Sequence, residues 1–195
     1  TLVVSIPAAY AMAFNPTKRT KDVLMWMLST KMLPAAAVLY PMTFLTKSLG
    51  LFDTHFMIIL VLSLINLPIV IWMLFTYFKE IPKDIIEAGK MDGVDTLGEI
   101  KEILIPLAWG GIASTALLCF IFCWNEAYWT VRLTTTDAAT LSKLIEGNRA
   151  PEGLFFGRLS AVSTAAVGPI VVLGWFCPKQ LVQGLTLSLI HHRPR

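Results

Sequence analysis

Polar side chains inside long apolar runs are the residues of this sequence best placed to do chemistry. Lys31 lies about a third of the way into the run 23–46, and Asn66 lies near the middle of the run 55–78. If such runs cross a membrane, an ionisable group there is costly and usually functional. Lys31 could face a polar pathway through the membrane and donate to substrate hydroxyls. It could instead pair with a carboxylate, or extend its ammonium group to the membrane surface. Asn66 could contact substrate or bind a neighbouring helix, and the helix contact is favoured.

A second polar group stands toward the end of the run 107–130, where aromatic and hydrogen-bonding side chains are adjacent. Rings beside polar groups that bond hydroxyls suit recognition of a sugar. An aromatic belt at the membrane surface explains Tyr128 and Trp129 equally well. The predicted substrate-pathway residues are Lys31, Asn66, Trp124, Asn125 and Glu126.

The sequence shows no arrangement typical of an enzyme or a metal site. Its three histidines, His55, His191 and His192, belong to no His-x-x-Glu-His motif, and no Ser/Lys arrangement is present. Cys119 and Cys123 would share a helix face, and packed thiols are the favoured interpretation. We predict no catalytic residue and no metal site.

The elements that carry these residues are those of a membrane protein. Hydrophobic residues make up 55% of the chain and charged residues 15%, whereas soluble domains have about 25% charged residues. The segment 56–78 carries no charge, while 79–102 holds four Lys and seven Asp or Glu. The net charge of +3 is too small and scattered to suggest nucleic-acid binding.

Apolar runs long enough to span a bilayer recur along the chain. We predict complete spans at 23–46, 55–78, 107–130 and 159–177, the last continuing as a polar-tailed helix to about residue 181. The run 1–14 is predicted to be the second half of a further span, because its basic residues follow it rather than precede it as in a signal peptide. The chain is therefore expected to be truncated at its N-terminus.

The distribution of Lys and Arg predicts the orientation. Ten lie on one predicted side of the membrane and five on the other. The positive-inside rule then places the block 79–102 and the C-terminus in the cytoplasm and the loop 130–157 outside.

The charged block predicts two short amphipathic helices. Pro82 suits the first helical position, and Asp92-Gly93 supplies a left-handed stop. Ile81, Ile85, Ala88 and Gly89 are predicted to share one face.

The second helix is predicted to begin with a capping box. Thr96 and Glu99 have its spacing. Apolar residues then recur at helical spacing up to the next span: Ile100, Ile103, Leu104 and Leu107.

This block resembles the EAA loop of the membrane subunits of binding-protein-dependent ABC importers. That loop reads Glu-Ala-Ala, three residues, Gly, nine residues, Ile, one residue, Leu-Pro. Here Gly89 replaces the second Ala and Ile105 replaces Leu, and each departure keeps size or hydrophobicity. The resemblance implies that 81–106 is a cytoplasmic coupling loop whose first helix docks on an ATPase subunit. The implied coupling residues are Glu87, Ala88, Gly89, Asp92, Gly93, Ile103, Ile105 and Pro106.

The rest of the chain resembles maltose-permease-like subunits of carbohydrate importers. The runs 29–34, 124–126, 149–155 and 180–186 are similar to those of sorbitol and mannitol permeases. The resemblance implies an all-α, polytopic ABC importer type I transmembrane domain. The chain is then one partial permease domain, 1–195, without the first spanning helix and part of the second.

The resemblance also implies partners and a mechanism. A second permease subunit, two ATPase subunits and an extracytoplasmic solute-binding protein would complete an importer of a sugar or polyol in the bacterial cytoplasmic membrane. The chain has no Walker-type phosphate-binding loop. It is therefore expected to be non-catalytic and to bind no cofactor, with ATP and Mg²⁺ on the ATPase.

Other classes of membrane protein fit the sequence less well. A gradient-driven secondary transporter or channel would more often show intramembrane carboxylates and repeated halves. A membrane-embedded enzyme lacks a catalytic set here, and a structural anchor would not need kinked spans and a charged docking block.

Overall fold

The computed structural model describes residues 1–148 and 156–176, and every regular element within those ranges is helical. The first helices are α1 Leu2–Phe14, α2 Thr20–Thr30, α3 Ala35–Ser48 and α4 His55–Lys79. The charged block forms α5 Lys83–Met91, α6 Thr96–Gly98, a π-helix Glu99–Leu104 and α7 Ile105–Leu107. The remaining helices are α8 Trp109–Trp124, α9 Tyr128–Leu133, α10 Leu141–Gly147 and α11 Phe156–Phe176.

The helices form two compact units. The first comprises Thr1–Met32 and Asn66–Phe120, and so includes α1, α2 and the whole charged block. Its buried side chains include Leu74, Phe78 and Leu104. The second comprises Leu33–Ile65 and the described part of Ile121–Cys177. Its core joins Met57, Ile58 and Val61 of α4 with Trp129, Leu133 and Ala138.

The helices suited to cross a membrane correspond to the predicted spans with two exceptions. α4 and α11 are long and apolar enough on their own, and α1 is a shorter apolar helix. α4 matches the predicted span 55–78, while α11 begins three residues before its predicted start. Two broken helix pairs qualify only if each is counted as one span. The predicted tail of the last helix lies outside the described residues.

The predicted span 23–46 is wrong as a single helix. α2 ends at Thr30, and α3 begins at Ala35 after Pro34, which has extended backbone at φ −60° and ψ 118°. Pro34 has no N–H to donate, and its ring disfavours helical backbone at the preceding Leu33. Apolar residues continue across the break, so hydropathy alone does not detect it.

The predicted span 107–130 is also interrupted. The segment Thr96–Leu107 meets α8 at an 85° bend, and α8 ends at Trp124. The Asn125 side-chain amide donates to the Ile121 carbonyl at 2.9 Å. The Glu126 carboxylate accepts the Trp129 N–H at 3.2 Å. These bonds to the backbone favour a stop and a restart, so that α9 is a separate short helix.

The predicted capping box is wrong in its residues. Asp95 is the residue that caps α6, because its Oδ1 accepts the Gly98 N–H at 3.0 Å. Thr96 is the first helical residue. The predicted regular second helix is largely a π-helix, in which the Ile105 N–H donates to the carbonyl of Ile100, five residues back.

The predicted apolar face of α5 is shifted. Ile86 and Gly89 are the buried residues of this helix, while Ile85 and Ala88 are exposed. Periodicity identified a helix with one buried side but did not fix its rotation, because the surface that it packs against is not local in sequence.

Candidate functional site

The predicted coupling segment, 81–106, begins with a helix that has defined ends. Pro82 is the residue before the first helical residue, one position earlier than predicted. At the other end, Gly93 has φ +82°, as the sequence predicted for a left-handed stop. The Val94 N–H donates to the Gly89 carbonyl at 3.0 Å and the Gly93 N–H to the Lys90 carbonyl at 3.1 Å. This is a Schellman motif, which ends α5 at a fixed residue.

Gly89 lies where α5 packs closely on the π-helix. A methyl group at this position would stand 2.5 Å from Cδ1 of Ile103. Glycine therefore permits a close approach between two residues of the predicted coupling set. The atom that it meets is the end of a flexible side chain, which can move, and this is consistent with a family pattern that has alanine here.

The opposite side of α5 is exposed. Glu87 and Ala88 are exposed, and so are Asp92 and Gly93 at its end. The structure thus divides the predicted coupling residues into two groups. Gly89 is buried and Ile103 and Ile105 are half-buried, whereas Glu87, Ala88, Asp92, Gly93 and Pro106 are exposed.

Glu99 is buried in the same segment. Its side chain is 1% exposed and that of Tyr10 is 3% exposed. The Tyr10 hydroxyl donates to Oε2 of Glu99 across 89 residues of sequence. The sequence assigned Glu99 to a capping box and gave Tyr10 no role, because no local pattern relates the two residues.

A cleft of about 440 Å³ lies beside the start of α5. Tyr77 in the last turn of α4 and Glu80 just after that helix line it together with Ile85, Leu107 and Gly110. A methyl group at Gly111 would meet the Tyr77 ring at 2.6 Å, so the ring lies directly on the backbone of α8. The cleft therefore lies between the end of α4 and the start of α8.

The predicted pathway residues occupy different surroundings. Lys31 is exposed in the break between α2 and α3, whereas Asn66 is 2% exposed within α4. Nε1 of Trp124 donates to the Ala166 carbonyl of α11 at 3.1 Å. Trp124, Asn125 and Glu126 are each bonded within their own unit. Their contact with substrate stays a prediction.

Within the described residues no group of three His, Cys, Asp or Glu could hold a metal ion. Residues 5–182 match the family described as binding-protein-dependent transport system inner membrane component. This chain belongs to that family. The predicted resemblance is confirmed at this level, and the permease is a transport component with membrane-spanning helices.

Similar proteins include several transport permeases. The permease is 31% identical to a probable ABC transporter permease, y4oR, of Sinorhizobium fredii, over 97% of this chain and 68% of the relative. It is 31% identical to the trehalose transport permease SugB of Mycobacterium tuberculosis, over 97% and 70%. It is 30% identical to the trehalose/maltose permease MalG of Thermococcus litoralis, over 97% and 69%.

A solved structure supports the fold. The permease superposes with a TM-score of 0.68 on a chain of a bacterial ABC transporter involved in import of the acidic polysaccharide alginate. The match covers 91% of the permease and 68% of that chain at 22% identity. It confirms the predicted all-α transmembrane fold of an ABC importer.

Asp53 is a residue whose role the sequence did not reveal. Its Oδ1 accepts the N–H groups of Thr135 at 2.9 Å and Ala138 at 3.1 Å. Its Oδ2 accepts the N–H groups of Thr136 at 2.9 Å and Asp137 at 3.2 Å, and the Thr135 hydroxyl. These donors, led by the Thr135 hydroxyl, hold the pKa of the Asp53 carboxyl far below its usual range.

The backbone at Asp53 fits this role. Its φ is +59°, a left-handed conformation in which Asp and Asn are enriched. The carboxylate thus fixes the α3–α4 connection of the permease to the loop after α9. From sequence, an Asp just before a helix indicates at most a local helix cap. The loop that it contacts is 82 to 85 residues away, so no local pattern predicts the contact.

Proposed function

We propose that this chain is a permease subunit of an ATP-driven importer and that segment 81–106 docks on a separate ATPase subunit. The observation that carries the proposal is the two-sided geometry of α5. One side is seated on the π-helix through Gly89 and Ile103, and the other presents Glu87 and Ala88.

A helix built in this way suits the transfer of movement. Gly93 fixes where α5 ends, and the close contact at Gly89 limits its sliding on the π-helix. A force applied to the exposed side would therefore reach the π-helix and α7, which lead into α8. Exposed Ile85 and Met91 flank Glu87, so the complementary groove would be apolar with a basic group.

The proposed assembly contains four further subunits. Two ATPase subunits would hold ATP and Mg²⁺, and this chain would bind no cofactor and catalyse no step. A second permease and an extracytoplasmic solute-binding protein would complete the importer. The block 79–102 and the C-terminus would face the cytoplasm of a bacterial cell, with the chain in its cytoplasmic membrane. Membership of a binding-protein-dependent family supports these partners.

The proposed substrate is a sugar or polyol, of the sorbitol or mannitol class. Relatives named for trehalose, maltose and glucose transport support the broader class. Trp124 carries an aromatic ring of the kind that stacks on sugars, and Glu126 keeps lone pairs beyond its bond to Trp129. We propose these two residues, with Lys31, Asn66 and Asn125, as the pathway contacts.

Crosslinking combined with uptake tests this function. A cysteine placed by Ala88→Cys should form a crosslink to the ATPase subunit encoded with this chain. The matched control is Ala36→Cys, also exposed on a helix. The unmodified chain sets the background from its own three cysteines, Cys119, Cys123 and Cys177. Labelled sorbitol, mannitol, trehalose and maltose are then offered to vesicles carrying the transporter. Uptake driven by an ion gradient with an inactive ATPase would instead support a secondary transporter.

A further inference from the structure

The buried pair of Tyr10 and Glu99 links the coupling segment to the first helix. Glu99 is the first residue of the π-helix, and Tyr10 lies in α1. Both side chains are almost fully enclosed, and the phenol donates to the carboxylate. The Tyr10 ring also packs against Phe14, with centroids 5.3 Å apart, which holds the phenol in place.

A buried carboxylate is stable only while a donor satisfies it. If α1 and the π-helix moved apart, the Glu99 carboxylate would lose the hydrogen bond from the Tyr10 hydroxyl. It would then either stay buried without a donor or have to move into water. Either outcome is unfavourable, so the two elements are expected to move as one body. Glu102 is exposed on the same π-helix and is under no such constraint.

The π-helix makes a second contact, with α5. Ile103 packs against Gly89 of α5, four residues after Glu99. One short element therefore contacts the proposed docking helix through Ile103 and α1 through Glu99. The contacts run from α5 to the π-helix to α1 without passing through α8.

We propose that the Tyr10–Glu99 pair transmits movement of the coupling segment to α1. Tyr10 and Glu99 are then positioning residues for transport and touch neither ATP nor substrate. The proposal rests on the proposed ATPase docking of α5. It predicts that α1 follows the ATPase cycle directly, in addition to any movement that passes through α7 into α8.

The test uses the assembled transporter in vesicles with its ATPase and solute-binding protein. Tyr10→Phe leaves a buried carboxylate without its donor, so it is expected to lower the melting temperature as well as transport. The informative variant is the double substitution Tyr10→Phe/Glu99→Met. It removes both polar groups together and should restore stability, because no buried polar atom of the pair is left unsatisfied.

The expected result separates coupling from stability. The double variant should melt near the unmodified transporter and keep its basal ATP hydrolysis. Its rate of substrate uptake should fall roughly tenfold, and so should the stimulation of its ATP hydrolysis by the loaded binding protein. A tenfold change lies within the usual range of coupling between two sites. Glu99→Gln keeps an acceptor for the phenol and should retain most of the uptake. Glu146→Gln, at an exposed residue of α10 outside the proposed docking segment, is the control and should change neither uptake nor stability.

Two results would overturn the proposal. Normal uptake by a stable Tyr10→Phe/Glu99→Met transporter would show that the pair only stabilises the fold. If that variant does not assemble, Tyr10→Phe/Glu99→Leu replaces it, and normal uptake there has the same meaning. If the unmodified chain fails to bind the ATPase, the proposed function fails first and this proposal fails with it.

Discussion

At the scale of single residues, two contacts between defined atoms shape the permease. Gly89 leaves room for the end of Ile103, and Asp53 gathers the N–H groups of one loop. In each case a change of one or two atoms alters a defined contact. Predictions at this scale therefore concern substitutions of one or both residues of a contact.

Substitution of Gly89 tests the close approach of α5 to the π-helix. Gly89→Ala should change stability by no more than about 1 kcal/mol, because better helix propensity offsets a shift of the Ile103 δ-methyl. Gly89→Leu should lower stability by about 2 kcal/mol through overpacking. Thermal unfolding of the purified protein measures both.

A double-mutant cycle sharpens this test. Ile103→Val removes the δ-methyl that the new methyl group of Gly89→Ala would meet. Adding Gly89→Ala to Ile103→Val should therefore stabilise the protein by about 1 kcal/mol. Equal effects of Gly89→Ala in both backgrounds would contradict the contact.

Asp53→Asn tests the contact of the Asp53 carboxylate with the 135–138 loop, here named the loop clamp. Asn tolerates the left-handed backbone, but its NH₂ group would face the N–H groups of Thr136 and Asp137. The variant should melt at a lower temperature than the unmodified protein at neutral pH. Thr76→Ser, at a residue exposed on α4, is a control that should leave melting unchanged.

The pH dependence of this difference follows from the lowered pKa of Asp53. The folded protein binds a proton here only well below the unfolded pKa of about 3.9. The stabilisation is therefore complete above that pH and is lost as pH falls toward the folded pKa. The melting gap between the two proteins should be constant from about pH 5 to 8 and narrow below about pH 4. A gap that widens in acid would contradict the clamp.

At the scale of elements, the ends of helices decide how the charged block is built. The Schellman motif ends α5, and Asp95 starts α6 two residues after Gly93. The π-helix then changes which residues face inward: Glu99, Ile100 and Leu104 are buried, while Leu107 is 52% exposed. The block is therefore positioned by its caps and by one non-α segment.

Alanine substitutions distinguish the observed cap from the predicted one. Asp95→Ala should destabilise the protein by about 1 kcal/mol, because the Gly98 N–H loses its acceptor. Thr96→Ala should have little effect, since no side-chain bond of Thr96 caps the helix. Thermal unfolding of both variants decides the matter, and the reverse order would restore the capping box.

At the scale of the whole molecule, the exposed side of α5 is the surface proposed to contact a partner. The exposed side of α5 carries Glu87 and Ala88, and neither is needed by the packing of the chain. A surface of this kind can be altered without loss of folding. Effects of such changes should therefore appear only in the presence of partners.

Charge reversal at Glu87 tests the docking surface. Glu87→Lys should leave the melting temperature of the isolated chain unchanged, because the side chain is exposed. Co-purification with the ATPase should fall roughly tenfold if Glu87 meets a basic group there. Glu146→Lys, at an exposed residue of α10, serves as the matched control. Equal co-purification of both variants would place the docking contact elsewhere.

The sequence by itself determined the membrane class, the family and the end of α5 at Gly93. Apolar run length, charge segregation and the spacing from Glu87 to Pro106 are properties of neighbouring residues, so they can be read without a structure. The stop at Gly93 belongs here, because a left-handed backbone is a local requirement.

Only the tertiary structure decided which residues meet. The pairing of Tyr10 with Glu99, and of Asp53 with the 135–138 loop, joins residues 82 to 89 positions apart. Tyr10 and Glu99 are buried because distant helices pack over them, and the Asp53 contacts form only because the fold brings the 135–138 loop to the carboxylate.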